Sequence, residues 1–278
     1  MNNLALLLQD QGKLDEAEPL MLEALEAKRA TLGPKHPSTL ASMNNLAQLL
    51  KAQGKLDEAE PLMLEALEAQ RATLGPKHPD TLTSMNNLAQ LLKAQGKQDE
   101  AEPLMLEVLE AQRATLGPKH PDTLSSMNKL AQLLKAQGKL DEAKLLMLEV
   151  LEAQRATLGL KHPDTLGSMS NLAQLLHAQG MLDEARPLML EVLKAQRASL
   201  GPKHPGTLIS MINLAALLRA QGRLSEAEAL AWEALVGMRS ALGEAHPHTQ
   251  VACQHLLSLL AAQGKHREAR ELKAGLKM

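Results

Sequence analysis

The chain has 278 residues, with 30 Lys and Arg against 32 Asp and Glu and a formal charge of −2. So even a balance speaks against non-specific nucleic-acid binding, which needs a basic surface to release counterions. The lone Cys253 cannot form an internal disulfide, and with neither a basic leader nor a run of roughly 18 apolar residues the expected setting is cytoplasmic, off the membrane.

From Met1 onward the chain is one repeated unit. Met43, Met85, Met127, Met169 and Met211 open almost the same wording at a spacing of 42 residues, and Cys253 takes the next place. Comparing residues 43–84 with 85–126, only Leu56/Gln98, Ala66/Val108 and Thr83/Ser125 differ. A period of this size means stacked supersecondary units, none able to bury its apolar face alone. The expectation is a single repeat domain over 1–278, with units starting near 1, 43, 85, 127, 169, 211 and 253. The first unit lacks the His-Pro found before Met43 and reads as truncated, as in a fragment. Its Leu4, Leu7 and Leu8 would lie uncovered, so self-association through that end is expected.

Each unit reads as two helices. In the first, Leu82, Met85, Leu88, Ala89 and Leu92 fall three or four apart and form one apolar stripe. His78-Pro79-Asp80 marks its start, since proline suits the first helical position and aspartate the first turn. Gln95-Gly96-Lys97 marks its end, with glycine free to turn left-handed. In the second helix Leu56, Ala59, Met63, Ala66 and Leu67 make the stripe. Asp57, Glu58 and Glu60 near its start and Arg71 near its end complement the helix dipole, and Leu74-Gly75-Pro76 closes it. Pro61 breaks a rule by sitting about a turn inside; Lys144-Leu145 shows the same place without proline. The final unit carries His266, Arg267, Glu268, Arg270 and Glu271, a wetter helix suited to a C-terminal cap.

Met43, Leu46, Ala47, Leu50, Ala59 and Met63, repeated through the chain, resemble the tetratricopeptide repeat. The longer period and the LGPKHPDTL…NNLA…QGK wording resemble its kinesin-light-chain and nephrocystin-like branch. The resemblance implies an all-α, right-handed superhelical solenoid of about seven antiparallel helix pairs, with first helices lining a concave wall. Unlike that family, the chain has no Phe, no Tyr and only Trp232; Leu50, Leu56 and Met63 stand where rings are usual, which predicts a softer core.

Little in the chain points to catalysis. His36, His78, His120, His162, His204 and His246 recur once per unit. A metal needs several ligands within about 2 Å, whereas stacked helices lie about 10 Å apart, so these residues are read as helix starts. Glycines occur singly at helix ends, Cys253 holds a core methionine's place, and the DEAE carboxylates fall at helix starts. No enzyme, metal or cofactor is expected.

The polar side of the first helices carries the functional expectation. Asn44, Gln48 and Lys51 share a face opposite the apolar stripe. One column runs Asn3, Asn45, Asn87, Asn171 and Asn213, interrupted by Lys129 and ending at His255. Beside it run Asn2, Asn44, Asn86 and Asn128, then Gln48, Gln90, Gln132 and Gln174, then Lys51, Lys93, Lys135, His177 and Arg219. Each amide offers a donor and an acceptor to a peptide backbone, and the basic column favours acidic residues in it. The expected function is a scaffold binding an extended, acidic peptide or protein segment in its groove. The alternatives are a sensor array cut from a larger signalling protein, and a spacer whose identical polar faces record duplication.

Overall fold

The computed structural model describes residues 4–5, 7–8 and 11–275. Among the described residues it contains no strand, and its helices follow the repeat: α1 (Leu14–Leu32), α2 (Pro37–Ala52), α3 (Leu56–Thr73), α4 (Pro79–Ala94), α5 (Gln98–Thr115), α6 (Pro121–Ala136), α7 (Leu140–Thr157), α8 (Pro163–Ala178), α9 (Leu182–Ser199), α10 (Pro205–Ala220), α11 (Leu224–Leu242), α12 (Pro247–Ala262) and α13 (His266–Gly275). They gather into two compact units, Met1–Lys139 with α1–α6 and Leu140–Met278 with α7–α13.

The punctuation of the sequence accounts for the helix ends. His78 is extended (φ −67°, ψ 140°), its Nδ1 accepts the Asp80 backbone N–H at 3.2 Å, and Pro79 follows at the first helical position. The histidine is thus itself the side-chain cap, a part usually played by Ser, Thr, Asp or Asn. At the far end Gly96 adopts φ 79°. Gly96 N–H then donates to Lys93 O at 3.1 Å and Lys97 N–H to Leu92 O at 2.8 Å, the paired bonds of a Schellman turn. Pro61 lies inside α3 and the helix runs on through it; α7, with Leu145 instead, is equally long at 18 residues. One proline per second helix therefore leaves the length unchanged.

The predicted stripes are the core. In the first unit Met43, Leu46, Ala47, Leu50, Ala59, Met63, Ala66 and Leu67 are all buried, each large side chain contributing about 1.5–3 kcal/mol. Leu56 is only half-buried. The buried face of the first helices is wider than a single stripe: Leu49, Leu91 and Leu133 are fully buried too. The cause is that α2 packs against α1, α3 and α4 at once, so three of its sides are covered. Leu4 and Leu7 are about half exposed.

Neighbouring repeats are also clasped together. Gln95 Nε2 donates to Asp57 Oδ1 at 3.1 Å and Glu60 Oε2 at 2.9 Å, and Lys97 Nζ donates to Glu60 Oε2 at 2.7 Å. Gln53 and Lys55 hold Asp15 and Glu18 in the same way, as Gln137 and Lys139 hold Asp99 and Glu102. The Lys97 hydrogen bond, helped by that of Gln95, keeps the Glu60 carboxyl below its ordinary range. The acidic helix starts and the Gln-Gly-Lys turns are thus two halves of one latch.

Candidate functional site

Two hollows open between first helices of the first unit. One, of about 270 Å³, lies where α2, α4 and the end of α3 meet, and it brings together Asn44, Asn45, Gln70, Ser84 and Asn87. The next, of about 470 Å³, lies between α4, α6 and the end of α5, and gathers Lys77, Asn86, Asn87, Gln90, Gln112 and Lys129. Asn87 and Thr83 line both. The hollows repeat because the apolar stripe turns the same polar face of each first helix outward.

The predicted residues separate into distinct roles. Asn44 is half-buried, and its Nδ2 donates to Ser84 Oγ at 2.8 Å, tying α2 to α4. Its Oδ1 is buried without a hydrogen-bond partner among the described residues. Asn45 is exposed, while Asn86, Asn87, Gln48, Gln90, Asn128 and Lys129 are half-buried and Gln132 is exposed. Lys51, Lys93 and Lys135 are half-buried and line neither hollow; burial pushes the Lys51 ammonium pKa down. The cation in the larger hollow comes from Lys129, which interrupts the Asn column, and from Lys77 in the preceding loop.

In the second unit Asn171 and Asn213 are half-buried, and Gln174, His177 and Arg219 are exposed. Arg219 Nη1 donates to Ser258 Oγ at 2.6 Å, which engages it with the following first helix. His255 is half-buried, and desolvation, with Arg219 nearby, pushes its pKa down. Ser170 and Ile212 stand where the first unit has Asn44 and Asn86. Asn2 and Asn3 lie outside the described residues.

Several contributors were not singled out from the sequence. Gln70 and Gln112, from second helices, are 5% and 8% exposed at the walls of the two hollows. Their Oε1 atoms are buried without hydrogen-bond partners among the described residues. Ser84 and Ser126 are buried beside them. Their signal is the same 42-residue recurrence, hidden because each sits within a run that also reads as helix-end polarity. Chemically the hollows offer amides and hydroxyls, with one carboxylate each (Asp80 in the smaller, Asp122 in the larger) and two ammonium groups in the larger, a set rich in hydrogen-bonding groups for a polar ligand. Cys253 is buried and its thiol pKa is pushed up by that burial, which disfavours the nucleophilic thiolate.

The sequence matches the tetratricopeptide repeat family over residues 1–72, 45–114, 99–156 and 164–240. Among solved structures it is similar to the kinesin-light-chain-like, nearly identical TPR-like repeats of Podosopora anserina, at 33% identity over 74% of this chain and 98% of that one, with a TM-score of 0.68. BtubC from P. vanneervenii shares the fold at 24% identity and a TM-score of 0.70, covering 84% of this chain and 94% of that one. So does a signal transduction ATPase with numerous domains and a tetratricopeptide repeat sensor from Pyrococcus horikoshii, at 13% identity and a TM-score of 0.74, over 99% of this chain and 40% of that one. No curated protein sequence matches the chain.

Proposed function

The chain belongs to the tetratricopeptide repeat family, and on that premise we propose that it is a non-enzymatic scaffold binding an extended peptide or protein segment along the polar face of its first helices. One observation carries this reading: successive hollows share Asn87 and are lined by carboxamides from both helices of the repeat. Such groups pair equally with a peptide's N–H and C=O, so they hold a backbone without reading its side chains strongly. In the larger hollow Lys77 and Lys129 outnumber the single carboxylate of Asp122, and that excess favours an acidic residue there. The setting fits a cytoplasmic partner; no helix among the described residues is long and apolar enough to cross a membrane.

The test is to select partners from a peptide library with the parent chain and retest them on a variant with Asn45, Asn87, Asn171 and Asn213 changed to Ala. At roughly 0.5–1.5 kcal/mol per hydrogen bond, the loss should be about 2–6 kcal/mol, less any non-additivity. Stability should hardly change, because Asn→Ala on a helix surface favours the helix. Unchanged affinity would leave the amide columns as solvated faces.

A second reading is favoured by the likeness to the repeat sensor of the P. horikoshii protein. In it, this chain is the sensor array of a larger signalling protein. Sequencing the full-length gene product separates the two, since a signalling domain on the same chain supports the second.

A further inference from the structure

We infer that Arg186, Arg223 and Gln221 form a carboxylate-binding site in the second unit, filled by an Asp or Glu side chain of another polypeptide. The observation is a repeat clasp with one half inverted. Glu18, Glu60, Glu102 and Glu228 each accept hydrogen bonds from the Gln and Lys of the following turn. These four carboxylates are between 12% and 20% exposed, so the shelf that holds them is well shielded. In the same register the chain places Lys144 and Arg186. The facing lysine becomes Met181 opposite Lys144 and Arg223 opposite Arg186.

The two inverted junctions resolve differently. Lys144 Nζ approaches Glu184 Oε2 at 3.5 Å and Met181 Sδ at 3.4 Å, so its charge is answered within the chain. Glu226 is the repeat equivalent of Glu184. Both of its oxygens, however, are taken by the Arg223 guanidinium, through Nε and Nη2 at 2.7 Å each. Gln221 keeps its bond to Asp183, donating from Nε2 to Oδ1 at 2.9 Å. Half-buried Arg186 is left with no hydrogen-bond or ion-pair partner among the described residues. It faces Arg223 and Gln221 across a hollow of about 400 Å³, which Asp183, the helix-start acid already held by Gln221, also lines. The junction keeps the Asp of the clasp, has its donors with a guanidinium added, and lacks the second carboxylate, the Glu that they grip elsewhere.

Magnitude decides the source of that carboxylate. A largely exposed ion pair changes an equilibrium constant by roughly five-fold at most. Even a bidentate arginine contact, about twice as strong as a neutral bond, does not retain a free small acid at ordinary concentrations. A side chain delivered by a polypeptide with further contacts of its own does benefit. None of these residues lines the hollows of the first unit, so the site stands or falls apart from the proposed peptide groove.

The test follows the nitrogen-15 Nε–Hε resonances of Arg186 and Arg223 in the full chain at constant ionic strength. Hexaglutamate, hexaglutamine and inorganic phosphate are titrated in turn. Hexaglutamate should shift both resonances saturably and hexaglutamine should not. Arg186→Gln should abolish the shift of Arg223. Arg186→Glu should abolish it too and also raise Tm, because it supplies the missing carboxylate from within. Resonances indifferent to hexaglutamate, an equal response to hexaglutamine, or a response to phosphate alone would overturn the assignment.

Discussion

Two threonines in the same unit, both fully buried, differ in one hydrogen bond, and that difference has a measurable consequence. Thr207 Oγ1 donates to Gly201 O at 2.9 Å, bracing the loop that leads into α10. Thr165 holds the equivalent place in the first turn of α8, yet its Oγ1 is buried without a hydrogen-bond partner among the described residues. Valine replaces either threonine at nearly constant volume and removes only the hydroxyl. Thr207→Val loses a bond worth about 0.5–1.5 kcal/mol net. Gly201 is only half-buried, so water meets part of its carbonyl's need and about 1 kcal/mol is the expected loss. Thr165→Val removes a hydroxyl whose burial without a partner costs about 1–3 kcal/mol, so it should be neutral or stabilising. Trp232, the only tryptophan, lies in the same unit and reports its unfolding by fluorescence. In urea the midpoint should fall for Thr207→Val and hold or rise for Thr165→Val, with unchanged slope. Equal losses in the two variants would refute the reasoning, because the hydrogen bond would then not be the source.

The clasps and turns carry further measurable consequences. Glu60 has its carboxyl held low by the Lys97 hydrogen bond first and that of Gln95 second, as Glu18 and Glu102 are held by their own Lys and Gln partners. A depressed carboxylate contributes stability above its unfolded pKa and loses it as pH falls through the folded value; changing all three to Gln should flatten the acid limb of a Tm-versus-pH curve. On the alkaline side the Lys97 pKa is raised, chiefly by its hydrogen bond to Glu60, so the lysine's share is lost only as pH climbs through that raised value. Gly96→Ala places a Cβ in open space but at φ 79°, so its cost is backbone strain alone, about 1–2 kcal/mol. Thermal melting should show that loss, and a smaller one for Gly96→Asn, whose side chain tolerates the left-handed turn.

The sequence carried most of the helical architecture because its signals are local. Pro79 and Gly96 fix the ends of α4 by their own backbone preferences, and Met85, Leu88 and Leu92 mark its buried side by spacing. What it did not carry depends on which helices meet. Leu91 looks like an excess apolar residue on one helix, and only packing against three neighbours explains its full burial. Asn44 reads as a groove residue by its face, yet its amide reaches Ser84, forty positions on, and acts as a tie. Gln112 lies at the end of a second helix, and its place in the wall of a hollow formed with α4 and α6 follows from stacking rather than from any local pattern. The Glu60–Gln95–Lys97 latch is half legible: acids at a helix start point to their own helix dipole, whereas their bonded partners belong to the next repeat.

Isothermal titration of one library-selected peptide against the parent chain and against Asn87→Ala tests the central claim most directly, because Asn87 lines both hollows of the first unit. Loss of one hydrogen bond of about 0.5–1.5 kcal/mol raises Kd roughly 2- to 13-fold, and that increase is the expected result, with Tm unchanged. An unaltered Kd would contradict the claim that the amide-lined hollows hold the ligand.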